Sequence, residues 1–160
     1  MENSYTVITE SPAETEKFAA DLAELIEIPT LVLLKGELGT GKTLIIKAAV
    51  SALGYQGEVT SPTFNLVQEY QAEVEIIHMD LYRLDRSEEL LEIGFEDYLN
   101  RDALVFIEWP ELALALIPAD FIFINIEKLS AAKRKITVRG EGEKSSLLIE
   151  RLNQDVNFSN

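Results

Sequence analysis

The segment Leu34–Val50, LKGELGTGKTLIIKAAV, decides the fold that we expect for this chain. Within it, in the stretch Gly36–Thr43, two glycines enclose four residues and are followed by lysine and threonine. An apolar run of strand length, Thr30–Lys35, comes directly before this stretch, and a segment of helical periodicity extends from Lys42 to about Leu53. The order predicts a strand, a glycine-rich loop and a helix that begins where the loop ends.

The residue types in this loop are suited to binding phosphate groups. Glycines allow the positive φ angles that turn successive backbone N–H groups inward, and the following helix adds the positive end of its dipole. We expect the Lys42 ammonium to reach the β- and γ-phosphates of a nucleotide and the Thr43 hydroxyl to bind Mg²⁺. The alternative, a glycine-rich turn with a chance Lys-Thr pair, should arise in roughly a few chains of this length per thousand. The loop therefore predicts a nucleotide phosphate site.

Composition predicts one domain, residues 1–160, with Asp155–Asn160 as a flexible tail. The chain has no cysteine, which excludes disulfides and thiolate metal ligands, and its apolar runs are too short to cross a membrane. Since the first residues also lack a signal-like pattern, we expect a cytoplasmic protein with no membrane partner. The net charge of −14 opposes binding of nucleic acid over a broad surface, so phosphate is expected at one small site.

The rest of the chain predicts an α/β fold. Phe64–Tyr70 and Val74–Met79 are strand-like runs joined by a short polar link, which predicts an antiparallel hairpin. Further strands are predicted at Tyr5–Thr9, Ala103–Ile107, Phe121–Glu127 and Lys135–Arg139, and helices from Pro12 to about Ile26, at Ser87–Ile93, Phe95–Leu99 and Pro110–Leu116, and near Lys144–Leu152. With the glycine loop, these elements predict a three-layer P-loop NTPase fold with a mixed, mostly parallel sheet and an antiparallel hairpin.

Two carboxylates follow apolar strands and are candidates for chemistry beside the loop. Asp80 follows the run Val74–Met79, and Glu108 follows Ala103–Ile107. Because the carboxyl ends of strands line the ligand crevice of α/β folds, each acid either holds the metal, orients an attacking water, or is an ordinary strand-end acid. The residues leave these roles open. His78, the single histidine, is more often structural than a base in such a position.

Two further features have two interpretations each. The segment Thr60–Phe64, TSPTF, is either a plain proline turn or a loop that places a hydroxyl near the γ-phosphate. Trp109 is either a core residue or a partly exposed side chain available to a partner.

Other classes of nucleotide-binding protein fit the sequence less well. A GTPase needs an Asp-x-x-Gly segment and an Asn-Lys-x-Asp guanine reader, and neither string occurs. A helicase-type motor needs a larger chain and a basic groove. A small-molecule P-loop kinase usually has an arginine-rich lid, and arginines are few here, so this alternative is weakened but stays open. A nucleotide-gated binding module without hydrolysis also stays open.

Four segments resemble, in order and spacing, the bacterial TsaE family of P-loop ATPases. They are Gly36–Thr43, Thr60–Phe64, the string HMDLYRL at His78–Leu84 and the string EWPE at Glu108–Glu111. The resemblance implies a weak Mg²⁺-dependent ATPase in the synthesis of threonylcarbamoyladenosine in tRNA, acting as a nucleotide switch on the TsaB–TsaD transferase pair. It implies ATP and Mg²⁺ as cofactors, TsaB and TsaD as partners, and contact with tRNA only indirectly.

The resemblance also assigns roles to residues. It implies that ATP is bound by Gly36, Glu37, Leu38, Gly39, Thr40, Gly41, Lys42 and Thr43, with Thr63 near the γ-phosphate and with Ser11 and Arg134 at the border of the nucleotide. Thr43 and Glu108 are implied as Mg²⁺ ligands, and Lys42, Asp80 and Glu108 as catalytic residues. Trp109 is implied at the partner surface or the edge of the site. Glu37 stands where the family often has aspartate, which should not affect binding through backbone amides.

Overall fold

The computed structural model describes residues 3–62 and 65–155, which form one seven-stranded sheet with helices on both faces. The strands are β1 (Ser4–Thr9), β2 (Thr30–Lys35), β3 (Val67–Gln71), β4 (Glu75–Asp80), β5 (Ala103–Glu108), β6 (Phe121–Lys128) and β7 (Arg134–Glu141). The helices are α1 (Pro12–Leu25), α2 (Lys42–Ala52), α3 (Glu89–Glu92), α4 (Phe95–Leu99) and α5 (Glu143–Gln154), and Pro110–Leu116 forms a 3-10 helix.

The strand order is β1-β7-β6-β2-β5-β4-β3. β2 pairs in parallel with both β5 and β6, and β4 pairs in parallel with β5. β7 runs antiparallel to β1 and to β6, and β3 runs antiparallel to β4. All strands of this sheet except β3 and β7 therefore point the same way. The mixed, mostly parallel sheet and its hairpin are confirmed.

Apolar side chains pack on both faces of the sheet, which gives the three predicted layers. On one face α1, α2 and α5 cover one set of alternating strand residues, such as Val32 and Leu104. On the other face α3, α4 and the 3-10 helix cover the intervening set, such as Leu33 and Val105. Because β2 is buried on both faces, its sequence is a continuous apolar run. Within the described ranges, no helix is long and apolar enough to cross a membrane.

The parallel strands bring three predicted site segments to one edge of the sheet. β2 ends at Lys35, where the glycine loop begins, while β4 ends at Asp80 and β5 ends at Glu108. In the register of the sheet, Glu108 lies between Leu34 and Asp80. The three strand ends therefore meet at the carboxyl edge, where α/β folds bind ligands.

Most predicted elements are present with ends that differ by no more than two residues, and the clearest differences are at β3 and α3. β3 begins at Val67 rather than at Phe64, because the positive φ of Leu66, 61°, interrupts an extended strand at that point. The predicted start of the strand, at Phe64, lies outside the described residues.

The predicted helix Ser87–Ile93 is also shorter in the structure, where α3 covers Glu89–Glu92. The Glu89 carboxylate accepts the backbone N–H groups of Asp85 and Arg86, at 2.9 and 3.0 Å. These bonds hold the segment before α3 as a turn. The predicted break at Gly94, whose φ is 71°, is present between α3 and α4.

Candidate functional site

The glycine loop between β2 and α2 forms an open cradle. Gly39 and Gly41 have φ angles of 80° and 108°, which L side chains rarely adopt, and no other atom lies within 4 Å of a Cβ built on either residue. The loop is closed by a turn in which the backbone N–H and the hydroxyl of Thr40 both donate to the Glu37 carbonyl, at 3.2 and 2.9 Å. Backbone N–H groups in such a loop, at the start of a helix, favour an anion.

Gly36 is required by packing rather than by φ. A Cβ at this residue would lie 2.6 Å from the Thr40 hydroxyl oxygen and 2.9 Å from the Ile126 carbonyl oxygen. The start of the loop therefore lies against its own turn and against β6. A cavity of about 460 Å³ opens beside it, and its lining includes Gly36, Thr40, Trp109 and Asn125. This volume is within the range of ligand pockets.

Lys42 begins α2 and is only 5 % exposed. Its ammonium donates to the Gly36 carbonyl at 2.5 Å and lies 3.7 Å from the centroid of the Trp109 ring. Burial lowers the pKa of Lys42, and the charges of Glu108, Asp80 and Glu111 oppose this shift. An ammonium is thus held at the mouth of the cradle, next to an aromatic face and near three carboxylates.

The two strand-end acids lie side by side but differ in environment. Glu108 is 3 % exposed, whereas Asp80 is half-buried and accepts the backbone N–H of Tyr82 at 3.0 Å. Burial raises the pKa of Asp80, with a smaller contribution from the Glu108 charge, while the Tyr82 N–H, His78 and Lys42 act in the opposite direction. Asp80 is therefore the more accessible of the two acids.

His78 is joined to the site more directly than its sequence position indicated. Its Nε2 lies 2.6 Å from Oε2 of Glu108, and the ring is fully buried. The two-residue spacing of His78 and Asp80 on a strand places both on the same face of the sheet, and this signal was available from the sequence. The pairing with Glu108 was not, because it depends on the register of β4 against β5.

Arg134 reaches the glycine loop from the far side of the sheet edge. Its Nε donates to the Thr40 carbonyl at 2.7 Å, and its guanidinium also donates to backbone carbonyls of the β6–β7 turn, at Ser130, Ala131 and Lys133. This arginine therefore ties the β6–β7 turn to the loop. The structure brings the predicted Arg134 to the border of the cradle.

Ser11 lies at the same edge, as the N-cap of α1. Its hydroxyl accepts the backbone N–H of Glu14 at 3.2 Å. The preceding residue, Glu10, forms an ion pair at 3.1 Å with Lys133, the neighbour of Arg134. The contact seen for Ser11 is thus a helix cap, and a role toward a nucleotide stays a prediction.

Four other predicted site residues differ in what the structure shows. Glu37 and Leu38 are exposed on the outside of the loop, with Leu38 69 % exposed. Thr43 is half-buried in the first turn of α2. Thr63 lies outside the described residues.

The donor set near the loop fits Mg²⁺ better than a transition metal. In the part of the chain that the structure describes, no group of three or more Asp, Glu and His side chains is placed to hold a metal. Mg²⁺ prefers oxygen ligands, keeps several waters and usually binds through one or two protein groups and phosphates. The Thr43 hydroxyl and the Glu108 carboxylate are oxygen donors of that kind, so these residues fit the ion.

The arrangement at this edge of the sheet is that of the P-loop NTPase fold: a buried strand, a glycine loop with positive φ angles, a lysine at the start of the next helix and acids at neighbouring strand ends. The family model described as "Threonylcarbamoyl adenosine biosynthesis protein TsaE" matches residues 9–136. The chain belongs to the TsaE family, and the resemblance found in the sequence is confirmed.

Curated relatives support this membership over most of the chain. The protein named "tRNA threonylcarbamoyladenosine biosynthesis protein TsaE" of Rickettsia felis is 38 % identical over 144 residues, covering 89 % of this chain and 84 % of the relative. The proteins of the same name from Haemophilus influenzae and Bacillus subtilis are 41 % identical over 120 residues and 31 % identical over 153 residues, which cover 74 % and 95 % of this chain and 76 % and 96 % of theirs.

A solved structure shows the same architecture. The crystal structure of Bacillus subtilis YdiB superposes with a TM-score of 0.81 at 27 % sequence identity, covering 96 % of this chain and 97 % of the other. The predicted fold class is therefore confirmed along nearly the full length of both chains.

Proposed function

We propose that this chain is the ATP-binding and ATP-hydrolysing component of the machinery that makes threonylcarbamoyladenosine in tRNA. Membership of the TsaE family supports the pathway, since the relatives are named for threonylcarbamoyladenosine biosynthesis. The observation that carries the ATPase proposal is the buried Lys42 ammonium at an open glycine cradle, with two strand-end carboxylates beside it.

Each residue of the site has a distinct proposed role. The backbone of Gly39–Thr43 binds the phosphates, and the Lys42 ammonium stabilises the charge that develops on the transferred phosphoryl group. Thr43 and Glu108 hold Mg²⁺, which when bound neutralises phosphate charge. Asp80 is the candidate for orienting the attacking water, because its raised pKa places it closer to the range of a general base.

The slow ATP hydrolysis expected of the isolated chain agrees with the contacts and the burial of the Lys42 ammonium. The Lys42 ammonium contacts the Gly36 carbonyl and the Trp109 ring, and the charged form is disfavoured by burial. A partner that moves Trp109 would change the position of the ammonium relative to the cradle. We therefore propose that hydrolysis is weak alone and is stimulated by a partner, with the nucleotide acting as a switch.

The proposed partners are TsaB and TsaD in the cytoplasm, with tRNA contacted only indirectly. The net charge of −14 opposes direct binding of tRNA. An aromatic pair at the edge of the site offers a surface to a protein instead. The rings of Tyr82 and Trp109 lie 4.9 Å apart, and Tyr82 is 54 % exposed.

Phosphate release from ATP, measured with and without the TsaB–TsaD pair, tests this function. Stimulated release is the expected result. A phosphorylated metabolite in place of free phosphate would identify a small-molecule kinase. Nucleotide binding without any release, with or without partners, would identify a binding module.

The roles of the two acids are tested by their alanine variants. Glu108→Ala is expected to remove the Mg²⁺ dependence of nucleotide affinity, whereas Asp80→Ala is expected to keep it and to lower turnover. Glu24→Ala, on the exposed surface of α1, is a matched control that removes one negative charge away from the loop. The reverse pattern between Asp80 and Glu108 would exchange their roles.

A further inference from the structure

The feature without a role in the proposed mechanism is the buried histidine of β4. His78 is 0 % exposed and Glu108 is 3 % exposed, and they form a close contact, 2.6 Å between Nε2 and Oε2. Two polar side chains taken out of water in this way are stabilised only when they are hydrogen-bonded to each other or to neighbours. The pair lies directly beside the glycine loop, because Glu108 is next to Leu34 in the sheet.

The surroundings of the ring determine which nitrogen carries the proton. Nδ1 of His78 is buried and has no hydrogen-bond partner among the described residues. An unpaired buried N–H group is rarer and more costly than an unpaired lone pair, so the proton is expected at Nε2. The Nε2–H group then donates to Oε2 of Glu108, and the carboxylate accepts.

This bond fixes the Glu108 side chain. A glutamate with free torsions loses rotamer entropy when it binds a metal, and one that is already held does not. A carboxylate has two oxygens, and the bond to His78 occupies Oε2, so Oε1 is left as a second acceptor. A group that hydrogen-bonds to a metal ligand in this way commonly contributes on the order of 10- to 100-fold to metal affinity or activity.

We propose that His78 is a positioning residue for the metal ligand. Its Nε2–H donates to Oε2 of Glu108 and holds that carboxylate in one orientation beside the glycine loop, where it serves Mg²⁺ of the nucleotide complex. This inference rests on the proposed function, since it assigns His78 to the ion that Glu108 binds. It differs from a core-filling role for the ring, because a core-filling residue needs the volume of the imidazole but not its N–H group.

The first test needs no ligand. The chain has a single histidine, so ¹⁵N-labelled protein gives one imidazole spin system. Long-range ¹H–¹⁵N spectra are expected to show a proton bound at Nε2, with an N–H signal protected from exchange. A proton at Nδ1 with none at Nε2, or rapid averaging between the two tautomers, would overturn the proposal.

The second test compares two replacements of the ring. His78→Gln keeps an N–H donor near the position of Nε2, and His78→Phe keeps the ring volume but removes the donor. ATP affinity is measured while Mg²⁺ is titrated, and the Mg²⁺ concentration that gives half of the maximal affinity is compared between the proteins. This concentration is expected to rise about tenfold in His78→Phe and to stay within about threefold of the parent value in His78→Gln. ATP affinity in EDTA is expected to be the same in all three proteins.

A matched control removes an equally short, partly buried hydrogen bond between α5 and the residue before β6. The Ser145 hydroxyl donates to Asp120 at 2.6 Å, and Ser145 is 2 % exposed. Ser145→Ala is expected to lower stability without moving the Mg²⁺ titration. Equal losses in the Phe and Gln variants, or a loss in His78→Phe that persists in EDTA, would overturn the positioning role alone. If the parent itself bound ATP without any dependence on Mg²⁺, the proposed function would fall with it.

Discussion

Replacing Lys42 with methionine separates the functional ammonium from the rest of the side chain. Methionine keeps most of the length of the lysine stem and removes the charge. In the structure the ammonium donates one N–H group to the Gly36 carbonyl and lies over the Trp109 ring. A lysine ammonium has three N–H donors, so two are left for phosphate oxygens.

The expected loss of ATP affinity follows from these contacts. Two charge-assisted hydrogen bonds to phosphate contribute at least about 1.5 kcal/mol each. The ammonium must turn toward the phosphates, which weakens its cation–π contact with Trp109. This reduces the gain in binding free energy by about 0.5–1 kcal/mol. The net loss in Lys42→Met is then at least about 2 kcal/mol, which corresponds to an affinity for ATP that is weaker by roughly 30-fold or more.

The stability of the fold should change much less. The variant loses the hydrogen bond to Gly36, about 1.5–3 kcal/mol for a charged donor, and the contact with Trp109. The variant also no longer buries an ammonium away from water, and removing this desolvation penalty, several kcal/mol for a buried ion, stabilises the fold. Because the two effects oppose each other, we expect a change in unfolding free energy of no more than about 1 kcal/mol, or about 2–4 °C in melting temperature.

Calorimetric titration of ATP with Mg²⁺ measures the affinity, and a thermal melt without nucleotide measures the stability. Lys47→Met is the matched control, because Lys47 lies on the same helix and is exposed. It should leave both measurements unchanged. An ATP affinity of Lys42→Met within threefold of the parent, in a variant that melts normally, would refute the assignment of the ammonium to the phosphates.

Three further predictions concern neighbouring parts of the site. Burial raises the pKa of Asp80 above 3.8, so its ionisation lowers stability as the pH rises through the folded-state pKa. Asp80→Asn should therefore unfold with a higher free energy than the parent at pH 7, and this difference should shrink toward zero below pH 3.8 in denaturant titrations. Gly41→Ala meets no steric obstacle but needs a φ of 108°, so urea titration should show a loss of about 1–2 kcal/mol, and ATP binding should weaken. A fully retained stability would contradict that strain. Finally, the net charge of −14 should slow the approach of ATP, so stopped-flow association rates should rise, not fall, as salt is added.

The centre of the fold could be predicted almost to the residue. β2 was predicted at Thr30–Lys35 and is observed there, and α2 begins at the predicted Lys42. These ends are fixed locally, by burial of β2 on both faces, by the close packing of Gly36 after the strand, and by the positive φ of Gly41 before the helix. Such information lies within a few residues of the element that it determines.

The order of the strands could not be predicted in the same way. β1 pairs with β7, so Thr9 lies opposite Arg134, a residue far away in the sequence. Pairing of this kind depends on packing of the whole chain and leaves no local signal. The position of Arg134 at the Thr40 carbonyl depends on the pairing of β7 with β6 and of β6 with β2, and only the family resemblance pointed to it beforehand.

The site likewise contains some features that the sequence predicts locally and others that depend on tertiary packing. Acids at the ends of parallel strands could be expected at the loop, since the carboxyl ends of such strands share an edge. The contacts of Lys42 with Gly36 and Trp109 could not be predicted from the sequence, because Trp109 adopts a left-handed φ of 56° that turns the chain after β5. The bond between His78 and Glu108 required the register of β4 against β5, which periodicity alone does not give.

The charges at this edge indicate why nucleotide binding should stabilise the protein. Burial lowers the pKa of Lys42 and raises that of Asp80, and it is the largest cause of each shift. Both ionised forms are therefore less favourable in the fold than in water, although opposite charges lie close by. A phosphate beside Lys42 and a cation near Asp80 would each favour the ionised form and offset part of this cost. Binding should then recover free energy that the empty fold gives up by burying these groups, and the same burial that weakens the fold strengthens its contacts with the ligand.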